Sequence, residues 1–441
     1  NNIGNHFKSN EKSRNLKIFP VPFSFLDINR NTYIQTNDYN KFSNNDLKKE
    51  KSALNLKENI IEAKNLCEYY IKNGITDPVL FFNYGSILKK LDQSKDAEIY
   101  FRKSIQLNPN FAEAYANLGN LLSELDQSIE AELLIRKSIK LKPDSSDLNC
   151  NLGALLKDVA KLEEAEEYTL KAIKLNPNNF NAYLNLGIIL KDLGKLEEAK
   201  INTQKAIELK PRNAEAYFNL ATIELFQGKY ESGFKHYEFR YAKNKPNFPH
   251  ANPKIERITS QKLTNKEKLL VISEQGLGDT LQYMRYIPLL RRNHLNVSFC
   301  AQKKLHSLIK ASGIDPKPLT PEQANKISEG KWISLLSLPY YLKINPIIQE
   351  NPQPYIRFED KLITKWKIIL SSEKRPIIGI NWQGNPEMEK NYQGRSIPLE
   401  TFSTLSDQNE ITLISLQKGF GSEQLENCSF KNNFIHYNYL I

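Results

Sequence analysis

No stretch of this 441-residue sequence approaches the ~18 consecutive apolar residues that a membrane-spanning helix needs. The apolar segment nearest the N-terminus, IFPVPFSF at 18–25, is short and broken by Pro20 and Pro22. It has neither a signal-peptide hydrophobic core nor a small-residue cleavage site, so a cytoplasmic protein is expected. Cysteine is scarce. Cys67, Cys150, Cys300 and Cys428 are scattered, with no CxxC pair and no pair of histidines nearby. That excludes a disulfide framework and the ligand spacing of a zinc site, and it leaves reduced, mostly buried thiols. Charge of one sign is not concentrated anywhere: 61 basic residues are mixed with 50 acidic ones along the chain, for a net charge of +11. A nucleic-acid surface would gather its lysines on one face, so no nucleic-acid partner is expected.

What the sequence does have is a period. Pro109, Pro143, Pro177 and Pro211 are spaced by 34 residues, as are Leu118, Leu152, Leu186 and Leu220. Gly85, Gly119, Gly153 and Gly187 follow the same interval, and so do Ala97, Ala131, Ala165 and Ala199. This pattern resembles the tetratricopeptide repeat, a helical hairpin of that length. About five repeats start near Pro78, Ala112, Ser146, Phe180 and Ala214. The small Gly and Ala let two helices approach, large residues such as Phe81, Tyr115 and Leu152 fill the space between neighbours, and each proline ends a second helix. Stacked hairpins then share one core and a concave groove. In the fifth repeat, Gly233 replaces the helix-B alanine and Glu224 stands where leucine is usual, so GKYESGFKHYEFRY reads as a capping helix. The expected solenoid spans 54–244, after a poorly ordered extension at 1–53 rich in Asn, Lys and Ser.

A Pro-rich linker at 245–262 precedes a change of pattern. Strands are expected at 268–273, 297–300, 332–339, 375–384 and 411–419, with another beginning at 434. Helices are expected at 280–292, 303–311 and 359–370. Strands alternating with helices predict parallel α/β units. The division reads as a first Rossmann-like domain at 263–358 and a partial second one at 359–441.

Four constellations are candidates for function. Asn83, Asn117, Asn151, Asn185 and Asn219 recur every 34 residues on the first helix of each repeat. An amide offers both donor and acceptor, so such a ladder can hold a polypeptide by its backbone; the plainer reading is that each amide bonds a neighbouring helix. In the segment EQGLGD, Gly276 and Gly278 allow close backbone approach, and Asp279 stands at a helix start beyond a strand. A carboxylate there can act as general base, or simply serve as a helix cap. In NWQGNPEMEKNYQGRSIP, Trp382 and Gly384 close a strand, and Arg395 and Ser396 are candidates to hold a diphosphate. The bland alternatives are a packed aromatic and a solvated charge. Lys418 and Gly419 follow the next strand, as a phosphate contact or an ordinary polar loop.

Taken together, the YEFRY cap, SEQGLGDTLQYMRYIPLL, NWQGNP, GRSIPL and SLQKG resemble bacterial tetratricopeptide-repeat glycosyltransferase-like proteins, which are related to heptosyltransferases. The asparagine ladder is similar to that of O-linked N-acetylglucosamine transferases. The resemblance implies a two-Rossmann (GT-B type) transferase that needs no metal and no cofactor. A nucleotide-sugar would be the donor substrate, bound near Trp382, Gly384, Arg395, Ser396 and Lys418. Asp279 would be the base, and a polypeptide or glycan held by the repeats the acceptor. Relatives carry further βα units, including Asp-Thr and Ala-His stretches that close the donor pocket, so the resemblance also implies an incomplete donor site within residues 359–441. The competing expectation is a non-catalytic interaction scaffold. Sulfotransferase and methyltransferase readings lack their phosphosulfate and GxGxG loops.

Overall fold

The computed structural model describes residues 60–243, 246, 248–259, 261, 263–264, 266–345, 354–384, 396–405 and 410–435. The expected extension at 1–53 lies outside them, and so does Arg395. The chain divides into two units, Asn1–Pro211 and Arg212–Ile441.

The described part of the first unit, from residue 60 on, has helices and no strands. A leading helix α1 (Ile60–Lys72) is followed by four antiparallel pairs: α2 (Pro78–Lys90) with α3 (Ser94–Leu107), α4 (Ala112–Glu124) with α5 (Ser128–Leu141), α6 (Ser146–Asp158) with α7 (Leu162–Leu175), and α8 (Phe180–Asp192) with α9 (Leu196–Leu209). The helices begin and end where local chemistry directs. Asp77 accepts from the Leu80 amide at 2.8 Å ahead of Pro78, and Asn179 accepts from the Asn181 and Ala182 amides at 3.1 Å each. Each repeat proline falls two residues beyond the end of a second helix. Within the pairs, Ser104 and Ser138 hydroxyls donate to the carbonyls of Pro78 and Ala112, each at 2.7 Å, tying the second helix to the start of the first. Leu118, Leu121, Leu122, Ile135, Leu152, Leu155 and Ala165 are buried in one core that runs through successive repeats.

The turn inside every hairpin carries a left-handed residue. Asp92, Asp126, Ala160, Gly194 and Gly228 have φ of 59°, 70°, 60°, 76° and 72°. The interval is again 34 residues, although only two of the five positions are glycine.

The second unit opens with the fifth hairpin, α10 (Ala214–Phe226) and α11 (Tyr230–Tyr237), closed by a 3-10 turn at Glu238–Tyr241. The fifth repeat thus lies in the second unit. Four parallel strands follow: β1 (Glu256–Arg257), β2 (Lys268–Ile272), β3 (Asn296–Cys300) and β4 (Lys331–Ser334), in the order β1-β4-β2-β3. Strand β1 comes from the segment read as linker; Glu256 pairs with Lys331 and Arg257 with Trp332. Central strand β2 is buried on both faces, as parallel strands require. Leu269 and Val271 pack with Met284, Ile287, Phe299 and Ile333, while Leu270 and Ile272 pack with Cys300 and Trp332. The helix expected at 280–292 is broken into α12 (Leu277–Tyr283), a 3-10 turn and α13 (Ile287–Arg292), because Pro288 has no amide to continue the ladder. Helices α14 (His306–Ala311), α15 (Pro321–Ala324) and α16 (Leu338–Leu342) complete this layer.

Beyond α17 (Asp360–Ile369), strands β5 (Ile377–Ile380) and β6 (Thr412–Ser415) pair in parallel, and Phe434 extends the sheet by a parallel bridge to Leu413. Ile380, Trp382, Leu399, Leu413, Phe430 and Phe434 form its core. A last short helix, α18, spans Gln424–Asn427.

Candidate functional site

The five asparagines hold equivalent places on α2, α4, α6, α8 and α10, and all are buried, between 1% and 9% exposed. Two of their amide donors point to the preceding repeat. Asn117 Nδ2 donates to Ser86 Oγ at 3.4 Å, and Asn185 Nδ2 donates to Cys150 Sγ at the same distance. Burial pushes the Cys150 thiol up to about 12, so the sulfur is a neutral acceptor. The Asn117 carbonyl oxygen is buried with no hydrogen-bond partner. The Asn117 and Asn185 amides therefore link neighbouring repeats, and the Asn117 carbonyl keeps acceptor capacity.

The glycine loop stands at the carboxyl end of β2. Here the left-handed residue is Gln275, with φ of 63°; neither Gly276 nor Gly278 has positive φ. Asp279 folds back so that the Gly276 amide donates to its Oδ2 at 3.0 Å, capping α12. The carboxylate is half-buried. A Cβ on Gly276 would lie 3.3 Å from that same Oδ2, whereas one on Gly278 would meet nothing within 4 Å. Gln302, beyond β3, donates to the carbonyls of Gln275 and Gly276 at 3.4 Å each and accepts from Thr280 Oγ1 at 2.9 Å. Tyr237 and Tyr283 flank the loop. Burial raises both phenols, Tyr283 to about 12, and the Asp279 charge adds to each.

The third group lies past the carboxyl ends of β5 and β6. Trp382 is 2% exposed, its Nε1 donates to the Gly421 carbonyl at 2.9 Å, and its ring meets Phe434 edge-on. It is a core residue. The Gly384 amide donates to Ser396 Oγ at 2.9 Å. Gln417 joins the two strand ends: its Oε1 accepts from the Trp382 and Gln383 amides at 3.3 and 2.9 Å, and its Nε2 donates to the Gln383 carbonyl at 3.1 Å. Lys418 comes directly after this clamp. Among the described residues, no group of three or more His, Cys, Asp or Glu is placed to hold a metal ion, and no helix is long and apolar enough to cross a membrane.

The helical pairs match the tetratricopeptide-repeat family at residues 79–111, 100–132, 146–179, 168–201 and 203–233. The chain carries tetratricopeptide repeats. It is similar to YrrB, described as a tetratricopeptide-repeat protein with an unusual peptide-binding site: 22% identity, covering 39% of this chain and 89% of that one, TM-score 0.33. It is also similar to the Pseudomonas aeruginosa pilF protein (20% identity, 37% and 74% covered, TM-score 0.35). A third likeness is to MamA from Desulfovibrio magneticus RS-1 (19% identity, 38% and 97% covered, TM-score 0.34). No curated protein sequence matches the chain.

Sequence reasoning passed over several residues that shape these sites. Gln417 was visible only as part of SLQKG, and a glutamine in a loop gives no sign that it will bond two strand ends. Glu274 and Arg240 stood in the EQGLGD and YEFRY stretches, but nothing in their spacing shows that they meet. Gln302 and Tyr237 carried no sequence signal for their contacts with the glycine loop.

Proposed function

We propose that this chain is a polypeptide-binding protein that holds an extended segment through the amide row of its repeats. Tetratricopeptide repeats support an interaction role, and the observation that carries the finer reading is the Asn117 carbonyl oxygen, which the fold leaves without a partner. A peptide amide reaching it would relieve an unsatisfied buried acceptor, a gain of about 1–3 kcal/mol. Because the Asn117 amide is turned toward Ser86, binding asks the side chain to rotate outward. The test is titration of the full chain against a library of unstructured peptides, wild type beside Asn117→Ala with Asn151→Ala. Affinity reduced by roughly tenfold or more in the double variant, at unchanged helicity, supports the reading; equal affinity refutes it.

A second reading concerns the α/β part, for which we propose a metal-independent sugar-transferase-like role in two Rossmann-like halves. What supports it is the location of Asp279, half-buried past the carboxyl end of a parallel strand, where ligands of such sheets gather. In this reading Asp279 deprotonates the acceptor hydroxyl, and Gly384, Arg395, Ser396 and Lys418 attend the diphosphate of a nucleotide-sugar. Trp382 contributes by anchoring the loop after β5 through its bond to Gly421. Calorimetric titration with nucleotide-sugars separates this role from a non-catalytic scaffold, which binds none. With a donor in hand, Asp279→Asn should abolish turnover while the protein stays folded; turnover at the wild-type rate would rule out Asp279 as the base.

A further inference from the structure

Arg240 and Glu274 are each 0% exposed and face each other as a forked ion pair. Arg240 Nε donates to Glu274 Oε2 at 3.2 Å and Nη2 to Oε1 at 2.8 Å. The pair joins two segments: the 3-10 turn that closes the fifth repeat and the residue two places past the end of β2. Its remaining valences are filled. Arg240 Nη1 donates to Glu238 Oε1 at 2.8 Å and to the Tyr237 carbonyl at 3.2 Å, while Nη2 also donates to Tyr241 Oη and Ser337 Oγ, both at 2.8 Å. Glu274 accepts from Tyr241 Oη at 3.0 Å and from Ser334 Oγ. Burial pulls the Arg240 guanidinium down, and the surrounding Tyr241, Glu274 and Glu238 more than offset it.

A buried ion pair is no more stabilising than well-packed apolar residues of similar volume, so stability alone does not explain it. The adjoining residue supplies a reason. Gln275, next to Glu274, has φ of 63°, a conformation that costs a residue with a Cβ about 1–2 kcal/mol and persists only where neighbours fix it. The neighbours are the repeat cap and the chain just after it. Gln275 Nε2 donates to Tyr237 Oη at 3.0 Å, and Pro249 pairs with Glu274 as an antiparallel bridge. The glycine loop from Gln275 to Asp279 begins at this pinned point.

We propose that Arg240 is a positioning residue: the turn closing the last repeat holds the glycine loop in its strained conformation through Glu274, so that the fifth repeat is a structural part of the loop's site. The coupling is independent of any reaction assigned to the loop, and it predicts that the cap and the loop loosen together. Hydrogen exchange on the full chain, without substrate, reads it directly. In Arg240→Met, the amides of Gly276 and Thr280 should exchange faster by roughly tenfold or more, together with those of Glu238–Tyr241. Strand β3 and the helices from Ile60 to Leu209 should keep wild-type protection. Wild-type protection at Gly276 and Thr280 with a loosened cap would overturn the proposal. If β3 also loses protection, Tyr241→Phe is the deciding variant, because it removes one hydroxyl that bonds both Arg240 and Glu274. Exchange at Gly276 and Thr280 accelerated by roughly fivefold with β3 unchanged supports the coupling; an unchanged loop refutes it.

Discussion

Gly119 and Ile135 meet with no room for another carbon between them. A Cβ on Gly119 would stand 2.7 Å from Ile135 Cγ1 and 3.0 Å from the Ala131 carbonyl oxygen. Neither can retreat freely, since Ile135 is fully buried and Ala131 belongs to the backbone of α5. The glycine is thus required by the approach of α4 to α5, not by its own backbone angles. Gly119→Ala should destabilise the repeat array by about 1–3 kcal/mol despite alanine's higher helix propensity. Urea unfolding followed by far-ultraviolet circular dichroism measures it; a variant at least as stable as wild type would show that the hairpin opens at little cost.

Ala160 gives the opposite case. It occupies the left-handed turn position that Gly194 and Gly228 fill in later repeats, with φ of 60°. Here the Cβ is a liability, so Ala160→Gly should raise stability by about 1 kcal/mol, with the greater entropy of the unfolded chain taking back part of the gain. The same unfolding experiment decides it, and a destabilised glycine variant would contradict the turn geometry.

Acid should weaken the array through a defined pair of repeats. Lys161 Nζ donates to Glu132 at 2.9 and 3.2 Å, and Arg136 Nε donates to it at 2.9 Å. Burial alone would raise this carboxyl, but the two cations outweigh it and hold it below its ordinary value of 4.5. A carboxyl depressed in the folded state stabilises above that ordinary value and ceases to do so as pH falls through its folded value. Stability should therefore decline below about pH 4.5. Glu132→Gln should lie below wild type at neutral pH and converge with it in acid. A constant difference across pH 3–7, read from thermal midpoints, would assign the effect to packing instead.

The hairpins were legible because three kinds of residue repeat the same physical demand: glycine for close approach, alanine opposite it and proline past each second helix. The left-handed turns kept the same interval but were hidden, since Asp92, Asp126 and Ala160 do not announce positive φ as Gly194 does. In the α/β part, the apolar runs of β2 and β3 stand out because both faces of a parallel strand are buried. Strand β1, only two residues long, had no such signal. The cap formed by Asp279 was foreseeable from a carboxylate at a helix start, whereas the Arg240 fork was not: it depends on how the last hairpin docks against the sheet, which no local pattern encodes. Trp382 was a candidate for the donor site with a packed aromatic as the plainer reading, and the strand it closes puts it in the core.

Gln417 provides the sharpest test of the second sheet. Its single carboxamide satisfies the amides of Trp382 and Gln383 and the carbonyl of Gln383, holding the loop after β5 to the loop after β6. At 7% exposure, water cannot easily replace it. Gln417→Leu keeps similar bulk but leaves these groups without partners, at a cost of about 1–3 kcal/mol for each one that stays buried. Trp382 reports the outcome, because its indole is buried and bonded to the Gly421 carbonyl just beyond the same clamp. In Gln417→Leu its emission should shift to longer wavelength at lower denaturant than in wild type, while the circular dichroism of the repeat array unfolds at an unchanged midpoint. Subtracting the spectrum of Trp382→Phe isolates its signal from Trp332 and Trp366. If the Trp382 transition does not move, the strand ends are held by their backbone pairing alone and Gln417 is an ordinary loop residue.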